Sequence, residues 1–279
     1  MAGSNFESIG DSEAFDKLSE LKNTGKTCDK HDVQMVKHGD KEPFCLICTQ
    51  ERIQEHESLL VHKANKREQE KDKRWLSERS ILSDTSIRKA RFDNFDARSD
   101  EEIRNKKEAR YMANDFRHGD YYNVVMSGTA GAGKSHLAMS MLQAVNEFSE
   151  EPKKCLFVSA GELIRKIQDS FDNDESPFRQ DRTIAMLHEP DVLVIDDLGA
   201  ESGAIRSKKS ASDFVNRTLV AVMNGRLEKA TITTTNLSSK ELSNLYDPRL
   251  LSRLYTGISK EKGLLTFNNT TDKRFSIQF

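Results

Sequence analysis

The chain has 279 residues, enough for one large α/β domain with a smaller module beside it. Charged residues make up 32% and hydrophobic ones 36%, and the formal net charge of −2 means that any nucleic-acid contact has to come from a local patch, not a global field. No apolar run is long enough to span a bilayer. The N-terminus MAGSNFESIGDSEAF carries no basic-then-apolar signal pattern. A cytoplasmic protein with no membrane contact is expected, so the four cysteines point to metal binding or core packing, not disulfides.

Residues 1–25 are polar. Ser12 can cap a short helix running to Leu21, with Phe15, Leu18 and Leu21 on one face. Such a segment is a packed helix, a mobile leader or a patch read by a partner. Cys28-Asp29-Lys30-His31 and Cys45-Leu46-Ile47-Cys48 follow. Two such pairs can close a tetrahedral zinc site from Cys28, His31, Cys45 and Cys48, with Gly39 and Pro43 turning the chain between them. Two unrelated pairs, or His38 in place of His31, are the alternatives. Zinc here would supply folding energy that a tiny core cannot, and four protein ligands would leave no open position for catalysis. From Gln50 to Arg79 acid–base pairs three or four apart, without Gly or Pro, predict an exposed helical spacer. Ile53, Leu59, Leu60 and Trp75 are the residues in it that could pack on something. The expected organisation is a zinc-binding module at 1–50, a charged helical linker at 51–85 and a P-loop ATPase domain at 86–279.

In that last part Phe92 and Phe95 precede a charged helix, Asp100 to Phe116. Strands are expected at Tyr122–Met126, Cys155–Ser159, Val192–Ile195, Ala230–Thr235 and Leu264–Phe267. Helices are expected at Ser135–Phe148, Ala160–Phe171, Ser210–Asn224 and Ser239–Tyr246. Alternation of this kind predicts an α/β fold with a mostly parallel five-stranded sheet covered on both faces. Cys155, alone in an apolar strand, reads as core.

The chemistry sits at the strand ends. Gly128-Thr129-Ala130-Gly131-Ala132-Gly133-Lys134-Ser135-His136 follows Val124-Val125-Met126 and opens a helix, the context that a P-loop requires. Its glycines let backbone N–H groups wrap phosphate oxygens, and the helix N-terminus adds its positive end. Lys134 is expected on the β- and γ-phosphates and the Ser135 hydroxyl on Mg²⁺. Asp191-Val192-Leu193-Val194-Ile195-Asp196-Asp197 delivers two carboxylates: Asp196 for Mg²⁺, Asp197 to polarise the attacking water. Thr231-Ile232-Thr233-Thr234-Thr235-Asn236 ends in an amide that either senses the γ-phosphate or simply turns the chain. Pro248 can begin a helix carrying Arg249 and Arg253 on one face. Such an Arg either reaches into a neighbouring subunit's site or makes a structural ion pair.

Together these pieces resemble the AAA+ class of ATPases. Their order is similar to that in bacterial and phage helicase loaders of the DnaC/DnaI type and in the transposition ATPase IstB, over roughly Ser86 to the C-terminus. Arg91-Phe92-Asp93-Asn94-Phe95 and Ser159-Ala160-Gly161-Glu162-Leu163-Ile164 are further family-like details. The resemblance implies an ATPase using ATP and Mg²⁺, with Phe92 near the adenine and Arg253 as arginine finger; the few residues after the fifth expected strand leave little room for the helical lid that many AAA+ proteins carry, which fits the loader clade, and Arg274 could serve as a sensor from the tail. It implies self-association through the ATPase domain and single-stranded DNA along a path that includes Lys166, Ser170, Phe171, Arg179, Arg182, Arg206, Lys208 and Lys209. From the residues alone, Phe171 equally reads as core and the Arg206–Lys209 run as a solvated loop. An N-terminal zinc module is similar to that of DnaI-type loaders, where this region contacts the hexameric replicative helicase; a nucleic-acid-binding knuckle is the other option. Many AAA+ proteins have Asp-Glu where this chain has Asp196-Asp197, and the shorter side chain implies slow hydrolysis. The expected function is ATP-dependent loading of the replicative helicase. An IstB-like transposition regulator and a nucleotide-dependent adaptor with little hydrolysis are the alternatives.

Overall fold

A computed structural model describes residues 21–201, 213–259 and 262–270, so the parts of the expected 12–21 helix before Leu21, and Arg206, Lys208, Lys209 and Arg274, lie outside the described residues. The chain groups into two compact units, Met1–Arg67 and Glu68–Phe279.

In the first unit β1 (Leu21–Thr27) pairs antiparallel with β2 (Gln34–His38), and Val36 bridges Phe44. Leu21 therefore begins a strand where the spacing predicted the end of a helix. Pairing with β2 satisfies its backbone, which a helix pattern of only three apolar residues does not outweigh. Helix α1 (Leu46–Glu78) follows. It starts earlier than expected, so Cys48 lies in its first turn. Ile53, Leu59 and Leu60 are about half exposed, at 52%, 57% and 51%, and do not pack. Trp75 does, beneath the Arg79 guanidinium at 4.5 Å.

The second unit is an α/β domain. Its elements are α2 (Asp100–Arg117), β3 (Asn123–Gly128), α3 (Lys134–Phe148), β4 (Cys155–Ser159), α4 (Ala160–Gln168), α5 (Gln180–His188), β5 (Val192–Leu198), α6 (Asp213–Asn224), β6 (Ala230–Thr235), α7 (Ser239–Leu245), α8 (Pro248–Leu254) and β7 (Leu264–Phe267). The five strands run parallel in the order β4-β5-β6-β3-β7. Alternate strand residues feed two cores. Val124, Met126, Phe157, Val194 and Ile232 meet α2 and α3 on one face. Leu156, Val158, Leu193 and Ile195 meet α4 to α8 on the other. Cys155 is fully buried, as expected.

Boundaries differ where tertiary pairing outlasts the local pattern. β3 runs to Gly128, two residues further than the apolar run, because β7 pairs with it through Phe267. β5 runs to Leu198 and so contains both acids. α4 stops at Gln168, short of Phe171, and α5 was not anticipated from its nine residues of weak periodicity. Among the described residues no helix is long and apolar enough to cross a membrane.

Arg226 is 2% exposed and donates to Thr231 Oγ1 and to the carbonyls of Leu187, Pro190 and Ala230 at 2.7–3.0 Å. It stitches the ends of α5 and α6 to the start of β6. Arg226→Leu leaves those acceptors unpaired in the interior and should cost roughly 3 kcal/mol or more by urea denaturation.

Candidate nucleotide site and metal centre

The P-loop lies at the C-terminal end of β3. Gly131 and Gly133 take φ of +73° and +94°. A side chain at Gly133 would also strike the Phe95 ring, 2.6 Å from where its Cβ would lie. Lys134 is buried at the start of α3, and its Nζ donates to Gly128 O at 2.8 Å, Thr129 O at 2.7 Å and Asn236 Oδ1 at 2.7 Å. Asn236 in turn donates Nδ2 to Asp197 Oδ1 at 2.7 Å.

Two acids opposite one threonine form a bulge. Ile195 pairs with Thr233 and Leu198 with Thr235, which leaves Asp196 and Asp197 facing Thr234. The Thr234 hydroxyl donates to Asp196 Oδ1 at 2.6 Å and accepts the Asp197 N–H at 2.9 Å. Asp197 sits at φ +57°, a conformation that Asp tolerates better than most residues with a side chain. Burial raises the Asp196 carboxyl above its usual range, and the Thr234 and Ser135 hydroxyls pull it back.

These residues line a cleft of about 500 Å³ with Ala130, Gly131, Gly133, Lys134, Ser135, His136, Asp196, Asp197, Thr234 and Asn236 on its polar side. The set fits a nucleotide phosphate chain and a hard cation: a basic group, glycine amides, a hydroxyl and a buried carboxylate. The apolar side of the cleft comes from Leu82, Ile87 and Phe157. Phe92 does not line it; its ring carries the Arg110 guanidinium at 5.4 Å and packs on the core. The segment that does is placed by Ile81, whose N–H bonds Phe157 O at 2.9 Å beside β4. Thr234, Leu82 and Ile87 were missed from sequence. The threonine-rich run Thr231–Thr235 leading into Asn236 was the available signal for Thr234; for Leu82 and Ile87 there was none.

Arg253 is remote from this cleft. Its carbonyl accepts from Asn123, the first residue of β3, at 2.7 Å, and its Nε donates to Asn224 at 3.0 Å. The P-loop leaves the opposite end of β3, roughly 16 Å away at a strand rise of about 3.3 Å per residue.

Of the expected DNA contacts, Phe171 is 59% exposed and meets Phe214 edge-on at 5.2 Å. Arg179 is paired with Asp174 and Asp181, and Arg182 donates to the carbonyls of Glu175 and Ser176. Lys166 lies over the Phe178 ring at 4.7 Å. Ser170 is buried and bonds the carbonyls of Ile167 and Phe178, so its hydroxyl cannot face a strand of DNA.

In the first unit Cys28, His31, Cys45 and Cys48 bring their donor atoms within 4.8 Å of one another. His31 Nδ1 lies 3.8, 3.6 and 3.3 Å from the sulfurs of Cys28, Cys45 and Cys48, and Cys28 and Cys48 are 3.7 Å apart. A tetrahedral zinc ion sets these edges at about 3.5 Å and about 3.8 Å, so the four could hold one. Backbone N–H groups of Lys30 and His31 hold the Cys28 thiol down at about 6. Glu51 fixes the ring from outside: its carboxylate meets His31 Nε2 at 3.1 Å and Lys30 Nζ at 2.6 Å.

A model of the family described as IstB-like ATP-binding protein matches residues 48–259, well over half of the chain, and the chain belongs to that family. No curated protein matches it in a sequence search. Among solved structures, the DnaC helicase loader is similar at 21% identity over 66% of this chain and 100% of that one, with a TM-score of 0.53. DnaI is similar at 20% identity over 67% and 95%, TM-score 0.52. A primosome component from Streptococcus pyogenes, named as putative, is similar at 16% identity over 71% and 97%, TM-score 0.51. At these identities the likeness is one of fold.

Two outcomes follow. Elemental analysis of the purified chain should find one zinc per chain, and Cys45→Ser should lose it and the protection of residues 21–45 from hydrogen exchange while leaving 123–128 protected. Thr234→Val, of nearly the same shape, should cost about 1–3 kcal/mol in denaturation and weaken Mg²⁺-dependent binding of a fluorescent ATP analogue.

Proposed function

We propose that this member of the IstB-like ATP-binding family is an ATP-dependent loader that places a hexameric replicative helicase on single-stranded DNA. The observation that carries the proposal is the separation of Arg253 from its own cleft. Held at the Asn123 end of β3, it serves the chemistry only if one subunit presents it to the next. In this proposal the ATPase domains assemble head to tail. The similarity in fold to DnaC and DnaI supports a loader among the family's possible roles.

In this reading Lys134 and the P-loop amides hold the phosphates, and Ser135 and Asp196 hold Mg²⁺, which supplies charge neutralisation. Asp197, braced by Asn236, orients the attacking water. Its position in a bulge at positive φ suits a short acid, and the short reach makes hydrolysis slow, as fits a switch. The zinc-bound N-terminal module (1–50), carried on the charged linker (51–85) that is helical as far as Glu78, grips the helicase, and the ATPase domain (86–279) guides the strand, with Phe171 offering a base-stacking surface. Hydrolysis releases the loader. The family description favours a second reading, an IstB-like transposition regulator, which binds duplex DNA and a transposase in place of the helicase.

The test is light scattering on a size-exclusion column with the source organism's replicative helicase, with and without ATP and Mg²⁺. A co-eluting complex that is lost on deleting residues 1–50 is expected. No complex in any nucleotide state overturns the loader reading, and filament formation on duplex DNA in its place supports the transposition regulator. Asp197→Asn should keep binding of the ATP analogue and lower kcat about 100-fold or more.

A further inference from the structure

The acidic end of β5 continues into a turn that the nucleotide site itself does not use. Asp197 at φ +57° and Gly199 at φ +110° redirect the chain. Glu201 then carries its carboxylate into the interior, where it is 8% exposed. One oxygen, Oε2, accepts the Gly199 N–H at 3.0 Å and closes the turn on itself. The other, Oε1, accepts the hydroxyl of Tyr246, which is 3% exposed.

Tyr246 caps the C-terminal end of α7 and stands immediately before the arginine helix. The next residue, Asp247, has its N–H on Asn216 Oδ1 at 3.0 Å, and its own carboxylate caps α8 by accepting the Arg249 N–H at 2.7 Å. α8 carries Arg249 and Arg253. One buried hydrogen bond thus joins the turn after the acidic pair to the entry of the helix that bears both arginines.

The connection has little slack at its acidic end. The Thr234 hydroxyl pins the Asp197 N–H, and the Thr235 hydroxyl donates to Leu198 O at 2.7 Å. A Cβ at Gly199 would fall 2.7 Å from Leu237 Cδ1, so the turn is already packed against β6's exit. These contacts leave little room beside Asp197 for the turn to shift independently of Glu201. Burying a carboxyl and a phenol together costs desolvation that an apolar pair of similar size would avoid. Glu201 does not line the nucleotide cleft, so phosphate or cation binding does not account for it.

We infer that Glu201 and Tyr246 are positioning residues that couple the Asp196–Asp197 bulge to helix α8, so that nucleotide bound in one subunit sets how that subunit's arginines are presented to its neighbour. The inference rests on the nucleotide-site reading above and deepens it. It explains how two features at opposite ends of the sheet act together without touching. On this inference the Glu201–Tyr246 bond is the contact through which a shift at one end reaches the other.

Hydrogen exchange on the full chain tests it, with Mg²⁺ and a non-hydrolysable ATP analogue, at a concentration where light scattering shows single chains. In the unmodified protein the analogue should raise protection at 128–136 and also at 246–254. In Tyr246→Phe the gain at 128–136 and the analogue affinity should remain, and the gain at 246–254 should be lost. Glu201→Gln can keep both contacts, its oxygen accepting the Gly199 N–H and its NH2 donating to the Tyr246 oxygen, and should keep most of the response; Glu201→Leu should lose it, and stands in if Tyr246→Phe does not fold. A response at 246–254 in Tyr246→Phe or Glu201→Leu equal to that of the unmodified chain overturns the coupling. So does protection at 128–136 with none at 246–254 in the unmodified chain. No gain at 128–136 in the unmodified chain overturns the nucleotide-site reading, and the coupling with it.

Discussion

The site is organised by the insertion of β6 between the P-loop strand β3 and the acidic strand β5. In a parallel sheet all three strands end on the same side, so β6 has to bridge its two neighbours there. Its penultimate residue, Thr234, and the residue just beyond its end, Asn236, do so. Thr234 locks the Asp196–Asp197 bulge, and Asn236 stands between Lys134 and Asp197. Without the bridge, a buried carboxylate would lose a partner where desolvation is most costly. Lys134 would likewise lose its tie through Asn236 to the acidic strand.

The P-loop is also braced from outside the sheet. On one side Phe95 packs against Gly133, and His136 bonds the Arg91 carbonyl and Asn94 at 3.0 and 2.9 Å. The Phe92–Phe95 segment therefore acts as a buttress behind the loop, and Leu82 and Ile87 take the apolar side of the cleft. On another side the exit of β7 presses on the loop so closely that a Cβ at Gly128 would fall 2.3 Å from Phe267 O. The Thr129 hydroxyl then reaches Thr270 O at 2.7 Å, and Glu101 gathers the backbone N–H groups of Asn268 and Asn269 together with the Thr270 hydroxyl. Loop conformations that need glycine are held by contacts far apart in sequence.

The first unit works by a different balance. Among its described residues only Cys28, Val36 and Cys45 count as buried apolar groups. So small a core does not offset the entropy of ordering the strands, and metal coordination is the available source of folding energy. Glu51, one helical turn beyond Cys48, fixes the imidazole so that Nδ1 faces the sulfurs. The charged face of α1 beyond it stays in solvent, with Ile53, Leu59 and Leu60 exposed among the charges.

By itself the sequence determined the strand–helix alternation, the five parallel strands, the P-loop, the acidic pair and the Cys/His set. Each is carried by a short contiguous run whose periodicity or spacing is itself the physical signal. It also located Asn236 and Arg253 as chemically apt groups. What only the tertiary structure decided is which groups meet. Ser170 read as a possible DNA contact, but the fold of 167–178 turns it inward. Phe92 read as an adenine neighbour; the pairing of Ile81 beside β4 brings Leu82 and Ile87, and not Phe92, to the lining of the cleft. The bulge, the Thr234 bridge, the Glu201–Tyr246 bond and the remoteness of Arg253 depend on strand order and register, and these are set by packing across both faces of the sheet, which no local window contains.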